Sequence, residues 1–248
     1  MFGVHINAIF LLILPIYRLL PDYRLLLFIS DIALALCAWP AYLIARQHFS
    51  KGLSLLIAAM VILHPVITGQ PGRSDFSEMR LMPVLFLSAF YLFEKKRFWW
   101  FTGVCVLLMT IREDMSLFVA VFGLYALMRH RPLRWIFTPV LLGTGWFLAM
   151  GVVLLAMLGP GAAVRASLRY SNLGSSGGEI VKTIFFRPWK VVQAALADSS
   201  HIGVAYGLLL TFGLGIPLLS GASVLAIPAV AELMLQRRTT FNNFMAIA

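Results

Sequence analysis

The sequence predicts an all-α, polytopic membrane protein with about eight spans, preceded by an N-terminal interfacial or re-entrant helix. Two features of its composition support this fold class. Of the 248 residues 60% are hydrophobic and only 12% are charged, whereas soluble domains are about 25% charged. The third observation is that long apolar runs alternate with short polar segments, without the two-residue alternation of a barrel strand. We therefore expect a single transmembrane domain over residues 1–248.

The apolar runs define the helices in chain order. Residues 2–20 contain Pro15 and end beside Arg18, which favours a helix at the membrane interface. The runs that we interpret as spans are residues 24–45, 53–68, 81–93, 101–111, 115–128, 135–158, 202–219 and 222–235. Residues 160–200 are more polar, and within them residues 179–197 predict a basic amphipathic surface helix that Pro188 kinks or breaks.

The basic residues predict the orientation of the chain. Residues 46–51, 95–97 and 129–134 together hold eight Lys and Arg, and cytoplasmic loops are the ones enriched in these residues. With all three clusters in the cytoplasm of an inner-membrane protein, the polar segments between them face outward. Residues 99–128 must then form two passes that meet at residues 112–114, rather than one long helix.

Two short charged segments, here called the first and second islands, interrupt the apolar sequence. The first island is residues 71–82, which includes Arg73, Asp75, Glu78 and Arg80, and the second island is Arg112, Glu113 and Asp114. Charged groups flanked by membrane are costly and commonly functional. Carboxylates interleaved with arginines suit a phosphate, a proton acceptor or a divalent cation held by oxygen ligands.

A structural interpretation of both islands stays open beside the functional one. Asp75 followed by Glu78 before an apolar run is a capping-box pattern. Asp114 stands where an N-cap would begin the helix of residues 115–128. Asp31 lies deep within a predicted span, where it either pairs with a neighbouring helix or belongs to a transport path.

Two further observations limit which partners are expected. Arg169 beside Tyr170 suits a lipid phosphate, although an arginine near the interface also snorkels without any such role. The net charge of +10 is explained by the cytoplasmic loops, so membrane lipids and not nucleic acid are the expected partners. Cys37 and Cys105 both lie inside apolar runs, which argues against a disulfide framework.

Several short motifs together resemble a family of membrane proteins. They are Asp75-Phe76-Ser77-Glu78, Arg112-Glu113-Asp114, Arg169-Tyr170 with Leu173-Gly174, Arg187-Pro188 and Ile227-Pro228. In this order they resemble domain-of-unknown-function family 2079, over nearly the whole chain. That family usually carries a histidine where this chain has Ser77.

The resemblance extends to the membrane half of the superfamily C glycosyltransferases, which use polyprenyl-phosphate sugars. It implies that the acids Asp75 and Glu78 of the first island are catalytic and candidates for ligating a divalent cation. It also implies that Glu113 and Asp114 act with them by orienting the donor-binding arginines. The residues implied for donor binding are Arg73, Arg80, Arg112, Arg169 and Tyr170.

We carry two expectations about function, of which the first follows from the resemblance and the second is the competing class. The first is an enzyme that takes a polyprenyl-phosphate sugar in an outward-facing cavity, in a chain that is a shortened member or a fragment of its family. The second is a non-enzymatic multi-pass protein, either a transporter or an assembly subunit of the cell envelope. A transporter places ionisable groups near the middle of the bilayer, whereas the islands lie between the apolar runs.

Overall fold

The computed structural model describes residues 6–68, 76–158, 171–196 and 220–235, and within these ranges it contains helices and no strand. The α-helices are α1 (Ile9–Leu19), α2 (Tyr23–Leu36), α3 (Ala38–Ala45), α4 (Lys51–Leu63), α5 (Pro65–Thr68), α6 (Met82–Glu94), α7 (Phe98–Met109), α8 (Met115–Met128), α9 (Leu133–Leu158), α10 (Gly177–Phe186), α11 (Pro188–Leu196) and α12 (Ile227–Leu235). Short 3₁₀ helices, Glu78–Leu81 and Gly221–Ala226, precede α6 and α12. The all-α prediction is confirmed for these residues.

The chain divides into two compact units. Unit 1 is Met1–Gly123 with Pro132–Phe147, and unit 2 is Leu124–Arg131 with Leu148–Ala248. The expectation of a single transmembrane domain stays a prediction.

Two of the described helical stretches are long and apolar enough to cross a membrane by length and composition. They are Tyr23–Ala45, which joins α2 to α3, and Leu133–Val153 within α9. The other apolar helices among the described residues are shorter, such as α4, which ends at Leu63 just before the His64-Pro65 pair. The structure therefore agrees with a helical membrane protein, while the count of about eight spans stays a prediction.

Local sequence explains the bounds of the first candidate span. The Asp22 carboxylate accepts a hydrogen bond from the backbone N–H of Arg24 and so caps the start of α2. Pro40 has no N–H to donate to the carbonyl one turn earlier, and α2 accordingly ends at Leu36 before α3 begins. At the far end the Ser50 hydroxyl accepts from the N–H of Leu53 and starts α4.

The surface of these helices is apolar. Trp39 is 65% exposed on α3, and Leu141 is 67% exposed on α9. Soluble proteins rarely expose large contiguous apolar patches, and contact with lipid tails removes the cost of exposing such side chains. The exposed surface thus supports the membrane class that the composition predicts.

Unit 1 has an aromatic core where α6 ends and α7 begins. Phe101 lies at its centre, with ring centroids 5.6 Å from Phe93, 5.2 Å from Phe122 and 5.4 Å from Trp135. Phe93, Phe101 and Phe122 are almost completely buried. Aromatic pairs at such distances contribute beyond the area that they bury, so this cluster holds α6, α7, α8 and the start of α9 together.

The helices α8 and α9 approach closely at two glycines. A Cβ atom at Gly143 would lie 2.3 Å from the carbonyl oxygen of Ser116, and one at Gly123 would lie 2.6 Å from that of Ile136. Small residues at helix contacts are typical of membrane proteins, where close backbone packing replaces the hydrophobic effect.

In unit 2 the predicted amphipathic helix is interrupted as expected. The chain leaves α10 at Arg187, and Pro188 opens α11 as its first residue, a position that a proline tolerates. Phe186 and Trp189 are 77% and 56% exposed on either side of the break. That this segment lies on the membrane surface stays a prediction.

Candidate functional site

The second island is a tight turn between two helices of unit 1. α7 ends at Met109, the hydroxyl of Thr110 donates to the carbonyl of Leu107 at 2.6 Å, and α8 begins at Met115. The predicted division of residues 99–128 into two helices is therefore confirmed. Their passage through a membrane in opposite directions stays a prediction.

The carboxylate of Glu113 binds the backbone just before α1. The backbone N–H of Ile6 donates to Oε2 of Glu113 at 3.1 Å, and the N–H of Ile9 donates to the carbonyl of Thr110 at 2.7 Å. The first N–H groups of a helix have no partner within it, and the carbonyl of Thr110 satisfies that of Ile9, the first residue of α1. Glu113 thus joins the N-terminal segment to the second island across more than a hundred residues of sequence.

Arg112 and Asp114 form a bidentate ion pair within the same turn. Nε of Arg112 donates to Oδ1 of Asp114 at 2.7 Å, and Nη2 donates to Oδ2. The two side chains are 16% and 24% exposed, so solvent reaches both. At the start of α8 the N–H of Leu117 bonds the main-chain oxygen of Asp114, while the Asp114 carboxylate binds Arg112.

Arg80 connects the first island to α2. Its Nη1 donates to the Ser30 hydroxyl and to Oδ1 of Asp31, each at 3.3 Å. The Arg80 side chain is only 4% exposed, whereas that of Asp31 is 43% exposed. The pairing of Asp31 with a neighbouring element is therefore confirmed, while its place on a transport path stays a prediction.

The helix α1 also contacts the first island. The ring of Phe10 lies 5.8 Å from that of Phe76, two residues before the half-buried Glu78 at the start of the 3₁₀ helix. Residues 6–10, at and just before the start of α1, therefore contact the first island through Phe10 and the second island through Ile6 and Ile9. Arg73, Asp75, Arg169 and Tyr170 lie outside the described residues.

Asn7 is a polar residue of this region that the sequence interpretation did not select as a site residue. It is 6% exposed, and among the described residues its Oδ1 accepts no hydrogen bond. The sequence offered one signal for Asn7, which is a polar side chain within an apolar run. Within the same described ranges, no three His, Cys, Asp or Glu side chains cluster as a metal site would require.

The fold and this charged region define a helical membrane protein in which Glu113 binds the backbone before α1 and Arg80 pairs with Asp31 on α2. Comparison with family models gives a match over residues 1–242 to the family described as predicted membrane protein (DUF2079), and the chain belongs to that family. Neither the curated proteins nor the solved structures contain a match to the chain.

Proposed function

We propose that this protein is a membrane glycosyltransferase that takes a sugar from a polyprenyl-phosphate donor at its two islands. The observation that carries the proposal is that residues 6–10 contact both islands, through the bond from Ile6 to Glu113 and the ring contact of Phe10 with Phe76. Beside Glu113, Arg112 and Asp114 form an arginine–carboxylate pair. A lipid-linked phosphate sugar needs a cationic site at the edge of an apolar surface, and a carboxylate beside it to accept a proton.

The donor phosphate binds Arg112 in this proposal. The guanidinium has five N–H donors in a planar fork, and its bidentate geometry with Asp114 is also the geometry that suits a phosphate. Because Arg112 is 16% exposed, a ligand can reach it. Arg80 is buried and paired with Asp31, so its role is to hold the first island against α2 rather than to contact the donor.

The reaction exchanges one bond at the anomeric carbon for another. The acceptor hydroxyl oxygen forms a bond to that carbon, the bond from carbon to the phosphate oxygen breaks, and polyprenyl phosphate leaves with the electron pair. A carboxylate of the islands takes the proton of the hydroxyl, and Asp75, Glu78 and Asp114 are the candidates. Glu113 positions the turn through its bond to Ile6, and a divalent cation at Asp75 and Glu78 would offset phosphate charge.

The test uses the protein in proteoliposomes with a radiolabelled polyprenyl-phosphate sugar and a cell-envelope extract as the source of acceptors. Asn caps a helix about as well as Asp, so Asp75→Asn and Asp114→Asn keep any cap and remove the charge. We expect each variant to lower the transfer rate by about 100-fold. Asp22→Asn is the matched control, since the Asp22 carboxylate caps α2 through Arg24.

Thermal unfolding of each variant shows whether a loss of rate reflects a loss of folding. A stably folded Asp75→Asn, Asp114→Asn double variant with the wild-type transfer rate would overturn the enzyme proposal. Asp75 would then be interpreted as a helix cap and Asp114 as the structural ion-pair partner of Arg112. The enzyme proposal would also be overturned if the wild-type protein transferred no sugar from any polyprenyl-phosphate donor.

A transporter is the second candidate, and the Asp31–Arg80 ion pair favours it. Asp31 lies within the candidate span Tyr23–Ala45, and intramembrane charged pairs are common on transport pathways. In the same proteoliposomes, a solute flux that Asp31→Asn abolishes in protein shown by thermal unfolding to stay folded, without sugar transfer by the wild-type protein, would select this class.

A further inference from the structure

The turn between α6 and α7 borders an open groove of different chemistry from the islands. Tyr91 and Leu92 from the last turns of α6, Lys95 and Arg97 from the turn, and Trp100 from α7 line a cavity of about 540 Å³. The wall therefore combines two cations, two aromatic rings and one aliphatic side chain. Glu94, the acidic residue beside the turn, is absent from the lining of this cavity.

Cations and aromatic rings are paired around this turn. Nζ of Lys95 lies 5.9 Å from the ring centroid of Tyr91, and the guanidinium of Arg134 lies 5.1 Å from that of Phe98. Trp99 and Trp100 are 80% and 73% exposed, so the fold of unit 1 does not bury these indoles. Exposed tryptophans beside basic residues are typical of the level of lipid headgroups.

The backbone of the turn carries a lysine where a glycine would be less strained. The N–H of Arg97 bonds the carbonyl of Leu92 at 3.0 Å, and that of Lys96 bonds the carbonyl of Phe93 at 3.1 Å, which is the Schellman arrangement at a helix end. Lys96 lies in the left-handed region, with φ 57°. Glycine adopts this conformation without a steric cost, and His130 at the end of α8 shows the same arrangement, so it is a common way for the helices of this chain to end.

We infer that this groove binds the phosphate of an anionic phospholipid headgroup. Lys95 and Arg97 face the phosphate, and Tyr91 and Trp100 contact the glycerol and the upper part of the acyl chains. Charge complementarity favours an anionic lipid, because the cationic group of a zwitterionic headgroup would be repelled by Lys95 and Arg97. Basic pockets at the ends of membrane helices have the chemistry that such headgroups require.

The inference is independent of the proposed function and has its own experiment. Purified protein in detergent is titrated with phosphatidylglycerol, phosphatidylcholine or inorganic phosphate, and bound lipid is counted by native mass spectrometry. We expect saturable binding of phosphatidylglycerol, with much weaker binding of phosphatidylcholine and none of free phosphate. Lys95→Gln with Arg97→Gln should weaken the binding of phosphatidylglycerol by roughly 30-fold.

Arg46→Gln with Lys51→Gln is the charge-matched control, since these residues flank the turn between α3 and α4 and do not line the groove. It should leave the affinity within about twofold. Trp100→Ala, at a 73% exposed position, tests the groove without a charge change and should weaken binding by several-fold. Equal binding by the Lys95/Arg97 variant and the control variant would overturn the inference, as would equal affinities for the two lipids.

Discussion

Arg80 and Asp31 are 49 residues apart in sequence and are joined by a contact of 3.3 Å between Nη1 and Oδ1. The guanidinium is buried, and the carboxylate is partly exposed at the middle of α2. A buried cation that loses its counter-ion keeps the full cost of its removal from water. This ion pair therefore fixes the start of α6 against α2, and it makes a defined prediction about stability.

Asp31→Asn should lower the free energy of unfolding by about 1–3 kcal/mol. Breaking a fully buried ion pair costs about 3–5 kcal/mol, and the smaller loss is expected because Asp31 is partly exposed. Adding Arg80→Gln should cost less than the sum of the two single substitutions, since the contact between Asp31 and Arg80 is already lost in the first variant. Unfolding in a detergent–denaturant series measures both variants, with Asp22→Asn as the control on the same helix. Purely additive effects of the two substitutions would show that the ion pair contributes no coupling energy.

Gly143→Ala should destabilise the packing of α8 on α9 by at least about 2 kcal/mol, because its Cβ would lie 2.3 Å from the Ser116 carbonyl oxygen and 2.7 Å from the Ala120 nitrogen. The control is Gly145→Ala on the same helix, where a Cβ meets nothing within 4 Å. It should be neutral or stabilising by about 0.5–1 kcal/mol, since alanine is the better helix former. Equal melting temperatures for the two variants would contradict the close contact.

The start of α10 should be sensitive to acid through Glu179. Hydrogen bonds from the hydroxyl and then the backbone N–H of Ser175 lower the pKa of the Glu179 carboxyl below its ordinary value. A lowered folded-state pKa means that this stabilisation is complete above the ordinary pKa of a glutamate. It is lost as the pH falls through the lower, folded-state value.

Hydrogen exchange at the first amides of α10, followed as a function of pH, measures this loss. Exchange in the wild-type protein should accelerate, relative to the intrinsic rate, as the pH falls through the folded-state pKa. Glu179→Gln should remove that step, and Ser175→Ala should move it toward the ordinary pKa of a glutamate. A wild-type step that Glu179→Gln leaves in place would assign the acid sensitivity to another group.

The orientation of the chain is testable with single cysteines at positions 50, 96, 131, 76 and 176, in a background with Cys37 and Cys105 replaced. In intact cells a membrane-impermeant thiol reagent should label positions 76 and 176 and leave positions 50, 96 and 131 unlabelled. Labelling of the latter three after permeabilisation is the control for their accessibility. Labelling of positions 50, 96 and 131 in intact cells would show that the orientation is the reverse of the predicted one.

Several features of this protein follow from its sequence by itself. The membrane class follows from composition, since 12% charged residues cannot cover a soluble surface of this size. The breaks at Pro188 and at residues 112–114 follow from local chemistry, because a proline removes a backbone donor and a charged triplet is costly within an apolar helix. The family is also evident from short motifs, and the match over residues 1–242 confirms it.

Only the tertiary structure decided which charges pair. From the sequence alone Arg80 was a candidate ligand for the donor phosphate, and Asp31 had two alternatives. The contact between them depends on the packing of α2 against the 3₁₀ helix before α6. The bond from Ile6 to Glu113 likewise joins segments that no local pattern relates. Local periodicity and capping act over a few residues, whereas the pairing of buried charges is selected by the low dielectric of the packed interior, where an unpaired charge is too costly.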